Sequence, residues 1–306
     1  MHAATHISDC DGIISAALIL RKFPDAIIDF HTIDSIKQSL IEYDIVVDLP
    51  KSPKALINID HHESNFENLK KTGRLTEKDM VVPDAPSAAS VLIKYLKLED
   101  DPIARELVEM ANIADTGGYT DETIILDKLI KASQHDIDFL RYLAKVLSLK
   151  GKKFLEDEKL KAKWEEVLQS YEKYKDFVCK VAENLQPSDF VIVDERNVLP
   201  YFVAKDLAYE LFTRNKAKVV ALVYDSPYDE EKVRISFRVH SQFNFNVRKI
   251  AEKFGGGGHV KASGATFTRG ENILEKIIDE ITKYSEVGEV LVVVMKNSKF
   301  VDILSS

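Results

Sequence analysis

Six side chains able to do metal chemistry stand where short structured runs stop. His6, Asp9 and Asp11 follow Ala3-Ala4-Thr5, and Asp48 ends the run Ile45-Val46-Val47. His61, with His62 behind it, ends Ala55 to Asp60, while Asp115 closes a helical stretch ahead of Gly117-Gly118. Asp9 and Asp11 lie two residues apart, and folding such carboxylates together is costly unless a cation compensates. A mixed set of carboxylates and imidazoles suits Mn²⁺ better than the all-oxygen sites of Ca²⁺ or the thiolate-rich sites of structural zinc. Four aspartates and two histidines exceed the needs of one ion, so the reading is two ions, about 3.5 to 4 Å apart, sharing a carboxylate. Plainer roles stay open at this point. Asp9 or Asp11 can cap the helix that follows, and Asp115 can be a turn former ahead of two glycines. Adjacent imidazoles on an extended segment point to opposite faces, so only one of His61 and His62 need reach a metal.

These residues must be positioned by strands that alternate with helices. Strands are expected at Ala3–Ile7, Ala26–Phe30, Tyr43–Leu49, Ala55–Asp60 and near Met80–Val82, and helices at Ile13–Leu20, Ser35–Glu42, from Pro86 through Leu92, and at Ile103–Ile113. That alternation indicates an α/β fold, with an N-terminal doubly wound, mostly parallel sheet. Ligands of such sheets bind along the carboxyl ends of the strands, where the acids and histidines fall.

The 306 residues, 45% hydrophobic, can bury more than one core. A net charge of -8 argues against a protein that coats long nucleic acid by charge alone. The two cysteines, Cys10 and Cys179, have no spacing motif and fit a reducing compartment. Nothing reads as a signal peptide and no apolar run approaches a membrane span, so a cytoplasmic protein with no membrane partner is expected.

From about His135 to Leu185 the chain is charged and helical in period, and Lys152 to Leu185 lacks glycine and proline, as a long linking helix would. The expected division is 1–150, a helical linker 151–187, and a smaller α/β domain 188–306. The latter is read as strand 190–193, helix 201–212, strands 219–224 and 233–239, helix 247–254, a glycine loop, strand 264–267, helix 273–284 and strand 290–294. Residues 201–268 carry eleven Lys and Arg against seven Asp and Glu, a local excess of basic charge that suits an anionic substrate. Arg234 and Arg238 alternate with apolar residues and share a strand face, where a guanidinium can grip phosphate in bidentate fashion. The loop Gly255-Gly256-Gly257-Gly258-His259 lets backbone N–H groups approach an anion without Cβ interference. It lacks the Gly-Lys-Ser/Thr ending of a nucleotide-triphosphate loop. Trp164, Tyr171 and Tyr174 are expected to pack, and Phe243 and Phe245 either stack bases or fill the core, both doing the same job.

The order His6-x-x-Asp9-x-Asp11-Gly12, Asp48, Asp60-His61-His62, Asp115, followed by Gly255-Gly256-Gly257-Gly258-His259 and Ala262-Ser263-Gly264, resembles the DHH phosphoesterase superfamily with its DHH-associated C-terminal domain. That superfamily includes RecJ-type exonucleases, nanoRNases, cyclic-dinucleotide phosphodiesterases, pAp phosphatases and family II inorganic pyrophosphatases. The resemblance implies two divalent ions, manganese favoured with magnesium or cobalt as alternatives. His6 and Asp9 would hold one and Asp11, His61 and Asp115 the other, with Asp48 bridging and His62 facing substrate phosphate. It implies substrate binding by Arg238, Gly256, Gly257, Gly258 and His259. One departure is that His6 stands three residues before Asp9, with Ser8 where several relatives have proline. The expected activity is nanoRNase-like hydrolysis of short single-stranded RNA or DNA oligonucleotides or linear dinucleotides, with pAp as a further substrate and a homodimer as a further expectation. The alternatives are a cyclic-dinucleotide phosphodiesterase, a pyrophosphate or polyphosphate hydrolase, and a non-catalytic nucleotide-binding regulator.

Overall fold

The computed structural model describes residues 1–116, 118, 120–284, 288–296 and 299–305. The chain forms two compact units, Met1–Val167 and Leu168–Ser306. The first contains β1 (His2–His6), α1 (Cys10–Lys22), β2 (Ile27–His31), α2 (Ile33–Gln38), β3 (Ile45–Val47), β4 (Ile57–Asp60), α3 (Glu63–Lys71), β5 (Met80–Val81), α4 (Ala88–Leu96), α5 (Pro102–Asp115), α6 (Asp121–Ala132) and α7 (Ile137–Lys150). A 3-10 turn, Gly151–Glu156, then leads into α8 (Glu158–Asn184), within which the division between units falls. The second unit continues with β6 (Ser188–Asp194), α9 (Asp206–Thr213), β7 (Ala217–Asp225), β8 (Lys232–Val239), α10 (Val247–Lys253), β9 (Gly257–His259), β10 (Ala262–Thr268), α11 (Ile273–Ile281), β11 (Val290–Lys296) and β12 (Lys299–Ser305).

In the first unit the strands lie in the order β2-β1-β3-β4-β5, every pair parallel. The order reverses beside β1, so the carboxyl ends of β1 and β3 diverge and leave a crevice there. His6 and Asp48 stand at those two ends. One side of the sheet is closed by α2, whose Ile36 packs with Ala4, Tyr43, Val46 and Leu49. Helix α1 is buried nearly all round, with Ile13, Ile14, Ala16, Ala17, Leu18 and Ile19 fully inaccessible. Such a helix has no polar face to offer solvent and is held by neighbours, here α4, α5 and α7.

The fold is mixed α/β, as the alternation of elements predicted, with differences at particular boundaries. Helix α2 starts at Ile33 and stops at Gln38 rather than running from Ser35 to Glu42, because Thr32 and Ser35 close a reciprocal capping box at its start. Helix α6 went unread: its capping box pairs Thr120 with Thr123, not with the Glu or Gln that marks the usual signature. The stretch expected as helix from Tyr201 is a series of turns up to Lys205, with Val203 N–H donating to Pro200 and Asp206 N–H to Val203, and α9 begins only at Asp206. The long helix begins at Glu158, not Lys152. The Gly117-Gly118-Tyr119 turn falls partly outside the described residues.

The second unit is a seven-stranded sheet in the order β12-β11-β6-β7-β8-β10-β9, parallel through β11, β6 and β7 and antiparallel elsewhere. Both faces are covered. On one, Phe190, Val219, Phe237 and Phe245 pack with residues of α10 and α11. On the other, Val191, Val220 and Leu222 pack with residues of α8 and α9, and Tyr171 and Tyr174 lean on this core as expected. No helix among the described residues is long and apolar enough to cross a membrane.

Just past β6, Glu195 is fully inaccessible, and no donor among the described residues reaches either carboxylate oxygen. Burial pushes its carboxyl well above the ordinary range, and the neighbouring charges of Asp206 and Asp194 push it further. A carboxyl whose folded pKa is raised lends full stability below its unfolded value, about 4.3, and loses it as pH climbs through the folded value. Glu195→Gln should therefore be no more stable than wild type at pH 5 but more stable at pH 9, by about 1.4 kcal/mol for each pKa unit the carboxyl is raised. Denaturant melts of the two proteins across that pH range check this.

Candidate metal centre

The turn from β1 into α1 is tight because Gly12 allows it. A Cβ there would meet the His6 carbonyl oxygen at 2.1 Å. The helix thus starts against the end of β1, bringing Asp9, Asp11 and His6 together. Asp9 takes its plainer role and another besides: one oxygen caps α1 by accepting from Gly12 N–H at 3.1 Å, while the other lies 2.6 Å from His6 Nδ1. The serine that departs from the relatives' pattern also has a partner, since Ser8 Oγ stands 3.0 Å from His6 Nε2. A hydrogen bond at one ring nitrogen fixes the ring and leaves the other, Nδ1, to face the acids.

Asp48 follows β3 with φ +56°, in the left-handed region. Such a backbone costs of order 1 kcal/mol or more for a residue with a Cβ and is found mainly where the surroundings hold it. Here Asn58 holds it: its amide donates to the carbonyls of Val46 at 3.1 Å and Leu49 at 3.0 Å, on either side of Asp48. Asn65 in turn donates to Asn58 Oδ1 at 2.8 Å and to Asp60 Oδ2 at 2.6 Å. So turned, Asp48 has one oxygen 3.6 Å from His6 Nδ1 and the other 3.9 Å from His61 Nε2 and 3.7 Å from His62 Nδ1.

His61, fully buried, donates from Nδ1 to the Ala85 carbonyl at 3.1 Å, which aims Nε2 inward. That nitrogen lies 3.1 Å from Asp115 and 3.8 Å from Asp11. Asp11 accepts from the N–H groups of Ala88 and Ala89 at the start of α4, at 2.6 and 2.9 Å, where the helix dipole favours an anion. Asp115 arrives as the last residue of α5. Two donor groups result, His6 with Asp9 and Asp48, and Asp11 with His61 and Asp115, the ligand atoms of each within 4.8 Å of one another. All six residues selected as metal-liking in the sequence thus converge at one edge of one sheet.

The electrostatics of this cluster are those of crowded acids. Burial, then the Coulomb field of neighbouring aspartates, drives Asp48 well above the carboxylate range. Burial likewise raises Asp11 to about 7, against the pull of the α4 N–H groups, and Asp115 to about 8 with help from Asp11 and Asp9. Protons or cations must offset the repulsion, and the carboxylate and imidazole donors present fit divalent metal. His62 behaves differently from His61. Burial alone would depress it, but Asp60, accepting from Nδ1 at 2.9 Å, wins and lifts it to about 9. Asp60 itself is held below the usual range despite burial by the two imidazoles and their N–H groups. Asp60, Asn58 and Asn65 were not singled out as site residues. Their only trace in the sequence was the unusual presence of polar side chains in and just after an apolar strand.

In the second unit, Arg234 and Arg238 share a face of β8, with Ser236 buried between them. Arg238 Nη1 donates to the Phe237 carbonyl at 2.8 Å. The glycine run expected as a loop is in part a strand, β9, paired with β10 at the sheet edge. Two of the glycines are there for close approach. A Cβ at Gly256 would meet the Gly264 oxygen at 2.0 Å, and one at Gly258, where φ is +129°, the Ala262 oxygen at 2.7 Å. His259 ends β9, exposed. Phe245 fills the core, and Phe243, half-buried, stacks on it.

Residues 201–286 match the DHHA1 domain family. No curated protein matches the chain in sequence. Among solved structures, the chain is similar to a pGpG-specific phosphodiesterase, PggH, from Vibrio cholerae, with 16% identity, a TM-score of 0.63 and coverage of 92% of this chain and 99% of that one. It is also similar to an exopolyphosphatase-related protein from Bacteroides fragilis, with 16% identity, a TM-score of 0.54 and coverage of 93% and 92%. These likenesses establish the fold, and the DHHA1 match bears out the resemblance of residues 201–286 to the DHH-associated domain.

Two outcomes test the geometry. Ser8→Ala should lower the affinity for Mn²⁺ by roughly 10-fold, measured by calorimetry, because the His6 ring loses its orienting bond. In metal-free protein, NMR titration should find His62 near 9 and, in Asp60→Asn, shifted toward its ordinary value of 6.5.

Proposed function

We propose that this chain is a metal-dependent phosphoesterase that hydrolyses phosphodiester bonds in short oligonucleotides and linear dinucleotides, with pAp as a further substrate. The observation that carries the reading is the pair of three-residue donor groups, one of which includes Asp48, whose two oxygens face the histidines of the two groups. When bound, two divalent ions would activate water and neutralise charge at phosphorus. His6, Asp9, Asp11, His61 and Asp115 would hold them, with Asp48 shared.

The remaining work falls to this chain's own groups. His62, kept cationic at neutral pH by Asp60, can donate to a phosphoryl oxygen and stabilise the charge that grows there as the bond breaks. Arg238 offers a planar fork for a further phosphate. The outer side of β9 is the edge of its sheet, where backbone N–H groups of an edge strand can meet an anion. The PggH likeness supports a linear dinucleotide as substrate, and the net acidic charge agrees with a small one. The second reading is a hydrolase of polyphosphate or pyrophosphate, supported by the likeness to the exopolyphosphatase-related protein.

Purified protein with Mn²⁺ and a panel of di- to decanucleotides, pGpG, pAp, cyclic di-AMP, pyrophosphate and polyphosphate separates these readings. The expected result is fastest turnover on the shortest linear oligonucleotides, abolished by EDTA and restored by Mn²⁺. Asp48→Asn should lower kcat on the order of 1000-fold, since it removes a carboxylate that belongs to one donor group and faces the histidine of the other. Full turnover in EDTA, or an Asp48→Asn variant as active as wild type, would overturn the assignment.

A further inference from the structure

Asp11, His61 and Asp115 reach their donor group from the start of α1, the residue after β4 and the end of α5. One short segment between β5 and α4, Ala85 to Ala89, bonds to the first two and to a neighbour of the third. The Ala85 carbonyl accepts from His61 Nδ1, and the N–H groups of Ala88 and Ala89 donate to the two oxygens of Asp11. Asp115 is served indirectly. Ser87, fully inaccessible, caps α4 by accepting from Ser90 N–H at 3.1 Å, and its hydroxyl donates to Asn112 Oδ1 at 2.6 Å. Asn112 lies three residues before Asp115 on α5, and residues so spaced lie on one face of a helix.

That tie meets a need of α5. Its last turn has no basic side chain and ends on a carboxylate, where the helix dipole disfavours negative charge. Helix ends fray when nothing holds them. The Asn112 carbonyl accepts from Thr116 N–H at 3.1 Å and from Thr116 Oγ1 at 2.7 Å, which closes the turn around Asp115. A side chain anchored at Asn112 therefore fixes the turn that carries Asp115, and fixes it to the segment that also holds Asp11 and His61. The other donor group, His6 with Asp9 and Asp48, is held by different means, namely Ser8, Gly12 N–H and Asn58.

We propose that Ser87 and Asn112 are positioning residues for metal binding by the Asp11, His61 and Asp115 group, setting Asp115 against Asp11 without being ligands themselves. The inference rests on the reading that this group takes metal, and its test needs no turnover. Asn112→Ala isolates the tie, because it leaves the Ser87 cap in place and alanine is the better helix former. In the full-length, metal-free variant, amide exchange in the last turn of α5 should quicken about tenfold, the effect of one lost hydrogen bond, while exchange in β1 and β3 holds. A residue with only a helical role would slow that exchange when replaced by alanine. Calorimetry with Mn²⁺ should show one binding event weakened at least about tenfold in Asn112→Ala and in Ser87→Ala, with a second event unchanged. Ser90→Ala, which removes a bond to the Ser87 carbonyl from the same turn, should keep wild-type binding. The proposal is overturned if exchange at the end of α5 does not quicken, if both variants keep wild-type affinity, or if both events weaken alike. A wild-type protein that takes up no Mn²⁺ overturns the metal reading and the proposal with it, and the wild-type titration alone shows that. If one event weakens as expected while wild type hydrolyses no phosphoester, the positioning stands and the phosphoesterase reading fails.

Discussion

Like charges packed at one edge of a sheet are the constraint on which the first unit depends. Asp9, Asp11, Asp48, Asp60 and Asp115 come from four separate places in its chain, the turn after β1, the residue past β3, the end of β4 and the end of α5, and they raise the cost of burying one another. Parts of the fold offset that cost locally. The first N–H groups of α4 point at Asp11, the start of α1 supplies an N–H to Asp9, and the His62 imidazole neutralises Asp60. Asp48 is driven upward by burial and by four neighbouring aspartates, and it occupies the centre of the cluster. The strain at its backbone and the polar bracing by Asn58 are consistent with a side chain placed for what it can bind rather than for stability.

The same cluster divides two adjacent histidines between two roles. His61 points inward with its second nitrogen anchored on a backbone carbonyl, and burial favours its neutral form, as a ligand requires. His62, one residue on, lies edge-on beside it with ring centroids 4.4 Å apart, partly exposed, and is held protonated by a carboxylate. Their different protonation comes from different partners.

In the second unit the glycine run illustrates how one composition can serve two ends. Read as a loop, it offers N–H groups to an anion. In the structure its glycines are also what lets β9 lie against β10 without a collision at Gly256 and Gly258. The edge strand so formed keeps one side of its backbone uncovered by any other strand. Close packing and anion access are therefore compatible, because they use opposite sides of the strand.

The parallel alternation of strands and helices, the residues that could hold metal and the basic excess of residues 201–268 were legible in the sequence because they are local. Apolar runs of strand length ending in an acid or a histidine carry their meaning in a few residues, as do a helical period and a run of glycines. The bracing by Asn58, Asn65 and Asp60 could not be read there, nor could helix α6, whose capping threonines depart from the usual signature, nor Glu195 in its interior. Those depend on which distant groups arrive beside a side chain, and burial and Coulomb interactions act through space without regard to position in the chain. The sequence by itself determined which residues could do the chemistry and what elements would carry them. Only the tertiary structure decided that β1 and β3 lie side by side, with His6 and the left-handed turn at Asp48 at their ends, so that two donor groups form around one carboxylate.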